Sequence, residues 1–175
     1  MRESNRAFLY RADRGAVMVE SLVAIPTLLA FFAMILQLSY LSIASLVVQH
    51  AAVSAARSAS VIIPDDPFAF SDRSDIGKGE GDRLATITDA ANSALKALQP
   101  LPLQGKFNPN ATVKLMKSGT EAGDFEAEDI IQAEVDYDFQ CGVLFGGSLI
   151  CGTSGTVTLT GLAAMPNQGA EYGYY

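Results

Sequence analysis

The chain has no tryptophan, a single histidine, His50, and only two cysteines, Cys141 and Cys151. That leaves no ligand set for a Cys/His zinc cluster, and there is no CxxC pair. Nucleophilic catalysis relayed through histidine has only His50 to draw on. No nucleophile motif, phosphate-binding loop or metal-ligand spacing accompanies it. These scarcities point away from an enzyme, and neither a cofactor nor a metal is expected. His50 reads as interfacial packing on a helix, away from any cleft. Charge is the other thing missing. From Ser21 to Val48 there is no Asp, Glu, Lys, Arg or His. A run of that length exceeds the roughly 20 apolar residues a helix needs to cross a bilayer, and it is too long for the roughly 7–15-residue core of a secretory signal.

What charge there is divides unevenly. The net charge of −7 hides a basic head and an acidic body. Before Gly15 stand Arg2, Arg6, Arg11 and Arg14 against Glu3 and Asp13, whereas after Arg57 seven lysines and arginines face sixteen acids. An arginine-rich head on an apolar run is retained on the cytoplasmic side, which sends the acidic part outward. The expected location is therefore the inner membrane, crossed once, with the C-terminal domain periplasmic. Nucleic acid is a poor partner for a surface of this sign, because binding there is driven by neutralising phosphates. Cys141 and Cys151, on the exported side, are expected to form a disulfide, with a pair of free thiols as the alternative.

One acid stands at the threshold of the apolar run. Glu20 follows Gly15 by five residues. A carboxylate in a membrane helix costs about 2.5–3.5 kcal/mol at the bilayer centre, less near its edge, and so calls for a role. Cleavage after Gly15 would supply one. The new N-terminus, Ala16, would carry a cationic amine about 6 Å along the axis from Glu20, at about 1.5 Å per residue. On two staggered chains the amine of one could meet the carboxylate of the next, neutralising both charges and fixing axial register. The simpler alternative places Glu20 at a helix N-terminus, favoured by the dipole and the headgroups.

Arg14-Gly15 followed by Ala16-Val17-Met18-Val19-Glu20 resembles the type IV prepilin signal. The continuation through Pro26, Leu28-Leu29, Gln37-Leu38-Ser39-Tyr40 and the string His50-Ala51-Ala52-Val53-Ser54-Ala55-Ala56-Arg57-Ser58-Ala59 is similar to the TadE-like minor pseudopilins of tight-adherence (Flp) pilus systems. The resemblance covers about the first sixty residues; where family members commonly carry an aromatic residue after the glutamate, this chain has Ser21. It implies processing at Gly15 and Ala16 by a prepilin peptidase, assembly through Glu20, and partners among other pilin or pseudopilin subunits, a secretion ATPase and an inner-membrane platform. It also implies a minor or initiating subunit in a surface pilus rather than the bulk filament subunit, which is typically much smaller. The competing function is an uncleaved, single-span periplasmic binding or adaptor protein.

The resulting organisation is a leader over 1–15, a transmembrane and assembly helix over 16–63, and an exported domain over 64–175. Within the helix, Pro26 predicts a kink or local break through Leu22 to Leu29. Ala51, Ala55 and Ala59, with Ala52, Ala56 and Ser60, form small faces for close packing, either on the chain's own domain or on neighbouring subunits. Pro64 to Asp82 is an acidic connector. Its carboxylates do not follow the alternation of an EF-hand loop, so a solvated loop is expected there rather than a calcium site.

Asp82 is the candidate N-cap of an amphipathic helix carrying Leu84, Ile87, Ala91, Leu95 and Leu98, ended by Pro100. Strands are predicted over Thr112–Lys117, Asp129–Phe139 and Gly155–Met165. In the second, Ile131, Ala133, Val135, Tyr137 and Phe139 alternate with polar residues, so that Glu134, Asp136 and Asp138 share a wet face. Acids at two-residue spacing make a charged surface more readily than a catalytic or metal array. Between the last two strands, Val143, Leu144, Phe145, Leu149 and Ile150 either touch a partner or tuck under the sheet. The C-terminal Tyr172, Tyr174 and Tyr175 lie in a glycine-rich tail expected to be disordered. The fold class is α+β: a long N-terminal helix, one amphipathic helix, and an antiparallel sheet of three or more strands.

Overall fold

A computed structural model describes residues 3–65, 76–99, 110–142 and 150–168, with side chains described from Met18 onward. Helix α1 (Glu3–Ile62) is followed by α2 (Gly81–Leu95), which tightens into a 3-10 turn at Lys96–Leu98. Four strands come next: β1 (Thr112–Lys117), β2 (Thr120–Glu121), β3 (Ile130–Gln140) and β4 (Thr156–Pro166). They form one antiparallel sheet in the order β2-β1-β3-β4. The fold is α+β, with both helices on one face of the sheet. α1 lies over β3 and β4, and α2 lies beside α1 toward β1.

The helix passes Pro26 without interruption, so the break expected through Leu22 to Leu29 is not there. Proline still removes the hydrogen bond to the carbonyl four residues earlier. Helical residues on both sides hold the segment in register across that gap. Downstream, α1 ends at Ile62, just before Pro64 and one residue short of the expected bound at 63.

Burial divides α1 into two lengths. Every side chain from Met18 to Phe32 is exposed; the first buried one is Gln37. Beyond it Ala44, Val48, Ala51, Ala52, Ala55, Ala56 and Ala59 are buried on one stripe. That stripe packs with Ile87, Ala91, Leu95 and Leu98, and with Ile131, Ala133, Val135, Tyr137 and Phe139 of β3. The small faces therefore serve the chain's own domain. Small side chains let a helix approach a sheet closely, and the large apolar residues come from the opposite wall. At about 1.5–3 kcal/mol for each fully buried Ile, Val, Leu or Phe, the sheet and α2 supply most of the hydrophobic stabilisation.

α2 starts two residues earlier than expected. Its N-cap is Glu80, in extended conformation, and Asp82 lies in the first turn instead of capping. Asp82 there still complements the helix dipole. Ile87, Ala91, Leu95 and Leu98 are fully buried as the spacing predicted, while Leu84 is half-buried. β1 buries Val113 and Leu115, and β3 alternates buried and polar residues along its length. The additional strand, β2, pairs Thr120 with Lys117 across a two-residue turn. Ser118 and Gly119, at φ 53° and 81°, give that turn the left-handed geometry of a type I′ hairpin.

Candidate assembly helix and its docking to the domain

The bare part of α1, residues 18–36, is about 28 Å long at about 1.5 Å per residue, close to the roughly 30 Å hydrocarbon thickness of a bilayer. It is long and apolar enough to cross a membrane. Met18, Leu22, Val23, Leu28, Phe31 and Phe32 each expose more than half of their surface. Glu20 is exposed among them, flanked by Val19, Val23, Ala24, Thr27 and Leu28. Thr27 and Ser39 turn their hydroxyls back onto the carbonyls of Val23 and Ile35, at 2.9 Å each, which satisfies both groups without water. The helical backbone runs through Gly15 and Ala16; their surroundings lie outside the described side chains. Among residues 16–56, Glu20 is the one Asp, Glu, Lys or Arg.

Gln37 marks where the helix enters its domain. Its side chain is 1% exposed, and among the described residues neither amide atom has a hydrogen-bond partner. Leaving such a group unpaired costs about 1–3 kcal/mol.

The far end of α1 is tied down by Arg83, a residue that the sequence patterns did not single out. This side chain of α2 is completely buried. Its guanidinium donates to the carbonyls of Ile62, Ile63 (2.7 Å) and Asp65 (3.0 Å). The last turn of α1 has no basic residue of its own. Arg83 thus supplies from a neighbouring helix both the donors and the positive charge that a helix C-terminus needs. Its position on the buried stripe of α2, four residues before Ile87, is the signal: a cation there needs a fixed set of acceptors.

The wet face of β3 holds the three acids, each with a partner. Lys114 of β1 donates to Asp136 at 2.9 Å and to Glu134 at 3.3 Å. Thr160 and Thr158 of β4 donate to Asp136 and Asp138, both at 2.7 Å. The hydrogen bonds from Lys114 and then Thr160 hold the Asp136 carboxyl below the usual carboxylate range, and the same contacts raise the Lys114 ammonium. Lys117 pairs with Asp129, which also accepts from the Glu126 backbone N–H at 2.7 Å; these contacts, the lysine's first, lower Asp129. The acids are cross-strand ties between neighbouring strands. No group of three or more His, Cys, Asp or Glu able to hold a metal occurs among the described residues. Of the connector acids, Asp66, Asp72 and Asp75 lie outside them.

Cys141 and Cys151 are joined in a disulfide, with 6.4 Å between their Cα atoms. It ties the end of β3 to the approach of β4, where the Cys141 N–H donates to Gly155 O at 2.9 Å. Val143, Leu144, Phe145 and Leu149 lie outside the described residues, as do Tyr172, Tyr174 and Tyr175; Ile150 is half-buried. His50 is exposed, but it is not remote from a cleft as expected. It lines an open groove between α1 and α2 with Leu46, Val47, Ser54, Ala90 and Ala94. Its Nδ1 lies 3.4 Å from the Ser54 hydroxyl, one helical turn on, and the groove lining contains no carboxylate. Among the residues lining the groove, none is an acid that could orient the ring of this serine–histidine pair.

No family model, curated protein or solved structure matches this chain.

Proposed function

We propose that this protein is a minor pilin or pseudopilin subunit of the tight-adherence type, inserted in the inner membrane with its N-terminus cytoplasmic and its α+β domain periplasmic. A prepilin peptidase cuts after Gly15. The helix beginning at Ala16 then packs with the helices of other subunits while the domain faces outward. The observation that carries this reading is Glu20, an exposed carboxylate on an otherwise uncharged and unburied length of helix, five residues after Gly15. A charge in that setting calls for a counter-charge, and the new α-amine of a neighbouring subunit provides one. The division of α1 supports the same reading. A helix meant only to pack on its own domain would not leave residues 18–36 bare, and a plain anchor would not need Glu20.

Glu20→Val tests the pairing role. Membrane insertion and cleavage are expected to survive the substitution, because neither the apolar length nor Gly15 changes. Incorporation into assembled pilus material, read by shearing and immunoblotting, is expected to fail. Normal incorporation of the variant would show that Glu20 does not set register.

A further inference from the structure

The two edges of the sheet are built differently. On one side β2 is two residues long, and so short an edge offers little to pair with. On the other, β4 runs eleven residues and hydrogen-bonds only to β3 among the described strands. Its register shows which backbone groups are left over. Asn167 N–H donates to Asp129 O, and Cys141 N–H donates to Gly155 O. In an antiparallel ladder the bonded pairs recur every second residue, so Val157, Leu159, Gly161, Ala163, Met165 and Asn167 point their amides at β3, while the Gly155 amide turns back to Gly152 O. The even-numbered residues point theirs away. Thr158, Thr160, Leu162 and Ala164 thus present a row of outward N–H and C=O groups, preceded by the Thr156 N–H; the Thr156 carbonyl accepts from the Ser154 hydroxyl at 3.3 Å.

Pro166 ends that row. Its missing N–H falls on the outward side, where it costs no bond to β3. No charged side chain guards β4, whose sequence is TVTLTGLAAMP. The usual protections of a long edge, a lysine or a proline in its middle, are absent from it.

The side chains beside this edge define what fits. On the wet face, Thr158 and Thr160 lie in register with Asp138 and Asp136 of β3. Asp136 is matched by Lys114, whereas Asp138 is bonded to the neutral Thr158 hydroxyl. A strand added to β4 would sit two strand spacings from β3, about 9–10 Å, a distance that a lysine stem and an aspartate span together. On the helix face, Val157, Leu159, Ala163 and Met165 are half-buried and would welcome apolar neighbours. A second copy is a poor candidate, because sixteen acids against seven basic residues follow Arg57.

We infer that the edge of β4, unpaired among the described residues, is a docking site for an extended segment of a different protein, one that alternates basic and apolar residues and extends the sheet by one strand. This inference stands whether or not the chain is a pilus subunit.

Amide hydrogen exchange on the full chain in detergent micelles tests it, with a peptide of β4's length that alternates lysine and valine as the probe. In the free protein the amides of Thr156, Thr158, Thr160, Leu162 and Ala164 should exchange quickly, and those of Val157, Leu159, Gly161, Ala163 and Met165 slowly. Saturating peptide should slow the even-numbered set about tenfold or more and leave the odd-numbered set unchanged. Asp138→Asn should weaken binding of that peptide about two- to fivefold, and should not affect a peptide with threonine in place of lysine. Three results would overturn the inference: even-numbered amides protected in the free chain, protection that rises with protein concentration alone, or no response to the peptide.

Discussion

Gly161 of β4 lies directly against the backbone of Val48 in α1. A Cβ added at Gly161 would stand 2.6 Å from Val48 O, 3.0 Å from Val48 C and 3.2 Å from the Cβ of Ala52. Helix and strand therefore meet main chain to main chain, with no side chain between them. The contact seats the domain-bound half of α1 and so fixes where residues 18–36 leave the protein surface.

Because the obstructing atoms are backbone, Gly161→Ala cannot be accommodated by a side-chain rotation. The substitution should destabilise the domain by about 1–3 kcal/mol, the cost of forcing extra volume into a packed interior. Urea unfolding of the detergent-solubilised protein, followed by tyrosine fluorescence, reads this directly. Adding Ala52→Gly should not restore stability, since the clash with Val48 O persists. A midpoint equal to that of the unmodified protein would mean that the close approach is not maintained in solution.

Arg83→Met should cost more. It leaves the carbonyls of Ile62, Ile63 and Asp65 without their guanidinium donors at the end of α1. With charged hydrogen bonds contributing about 1.5–3 kcal/mol each, a loss of about 3 kcal/mol or more is expected. Arg83→Lys keeps the charge but not the fork, so it should recover only part of that loss. Equal stability of the two variants would show that the planar donor geometry is unimportant.

The paired acids predict the pH response. Asp136 and Asp129 titrate below their ordinary values when folded. Their contribution is therefore complete at neutral pH and is lost as the pH falls through the folded values, below the ordinary aspartate range near roughly 4. Lys114 and Lys117, raised by the same contacts, hold their contribution until the pH climbs past the ordinary lysine value. Stability against urea should thus be flat from about pH 6 to about pH 9 with respect to these groups and fall below about pH 4. Asp136→Asn should make the acid-side decline shallower. An unchanged decline would place the acid sensitivity elsewhere.

Local chemistry explains what could be read from the sequence. Alternation in β3 is legible because one face of the strand meets the helices and the other meets water. The stripe of α2 is legible for the same reason at helical spacing. The division of α1 was not, because apolar residues facing lipid and apolar residues facing a core look alike in a hydropathy scan. The change from Leu22, Phe31 and Phe32 to Ala51, Ala55 and Ala59 was the available clue. Helical spacing places Arg83 on the buried stripe of α2 but says nothing of its acceptors, which lie about twenty residues earlier at the end of α1. β2 was missed because two residues carry no period, although Ser118-Gly119 marked its turn. The N-cap of α2 was misplaced because a capping side chain was expected and Glu80 makes no such bond.

Cleavage after Gly15 separates a prepilin-like subunit from an uncleaved anchored protein. If the chain is a prepilin-like subunit, the membrane-associated protein from cells with an active prepilin peptidase should lack residues 1–15 and begin at Ala16. Intact mass spectrometry of the purified protein measures this in one step. A mass matching residues 16–175 is the predicted result. A chain that retains Met1 and the four arginines of the leader in those cells would contradict the account and favour an uncleaved anchored periplasmic protein.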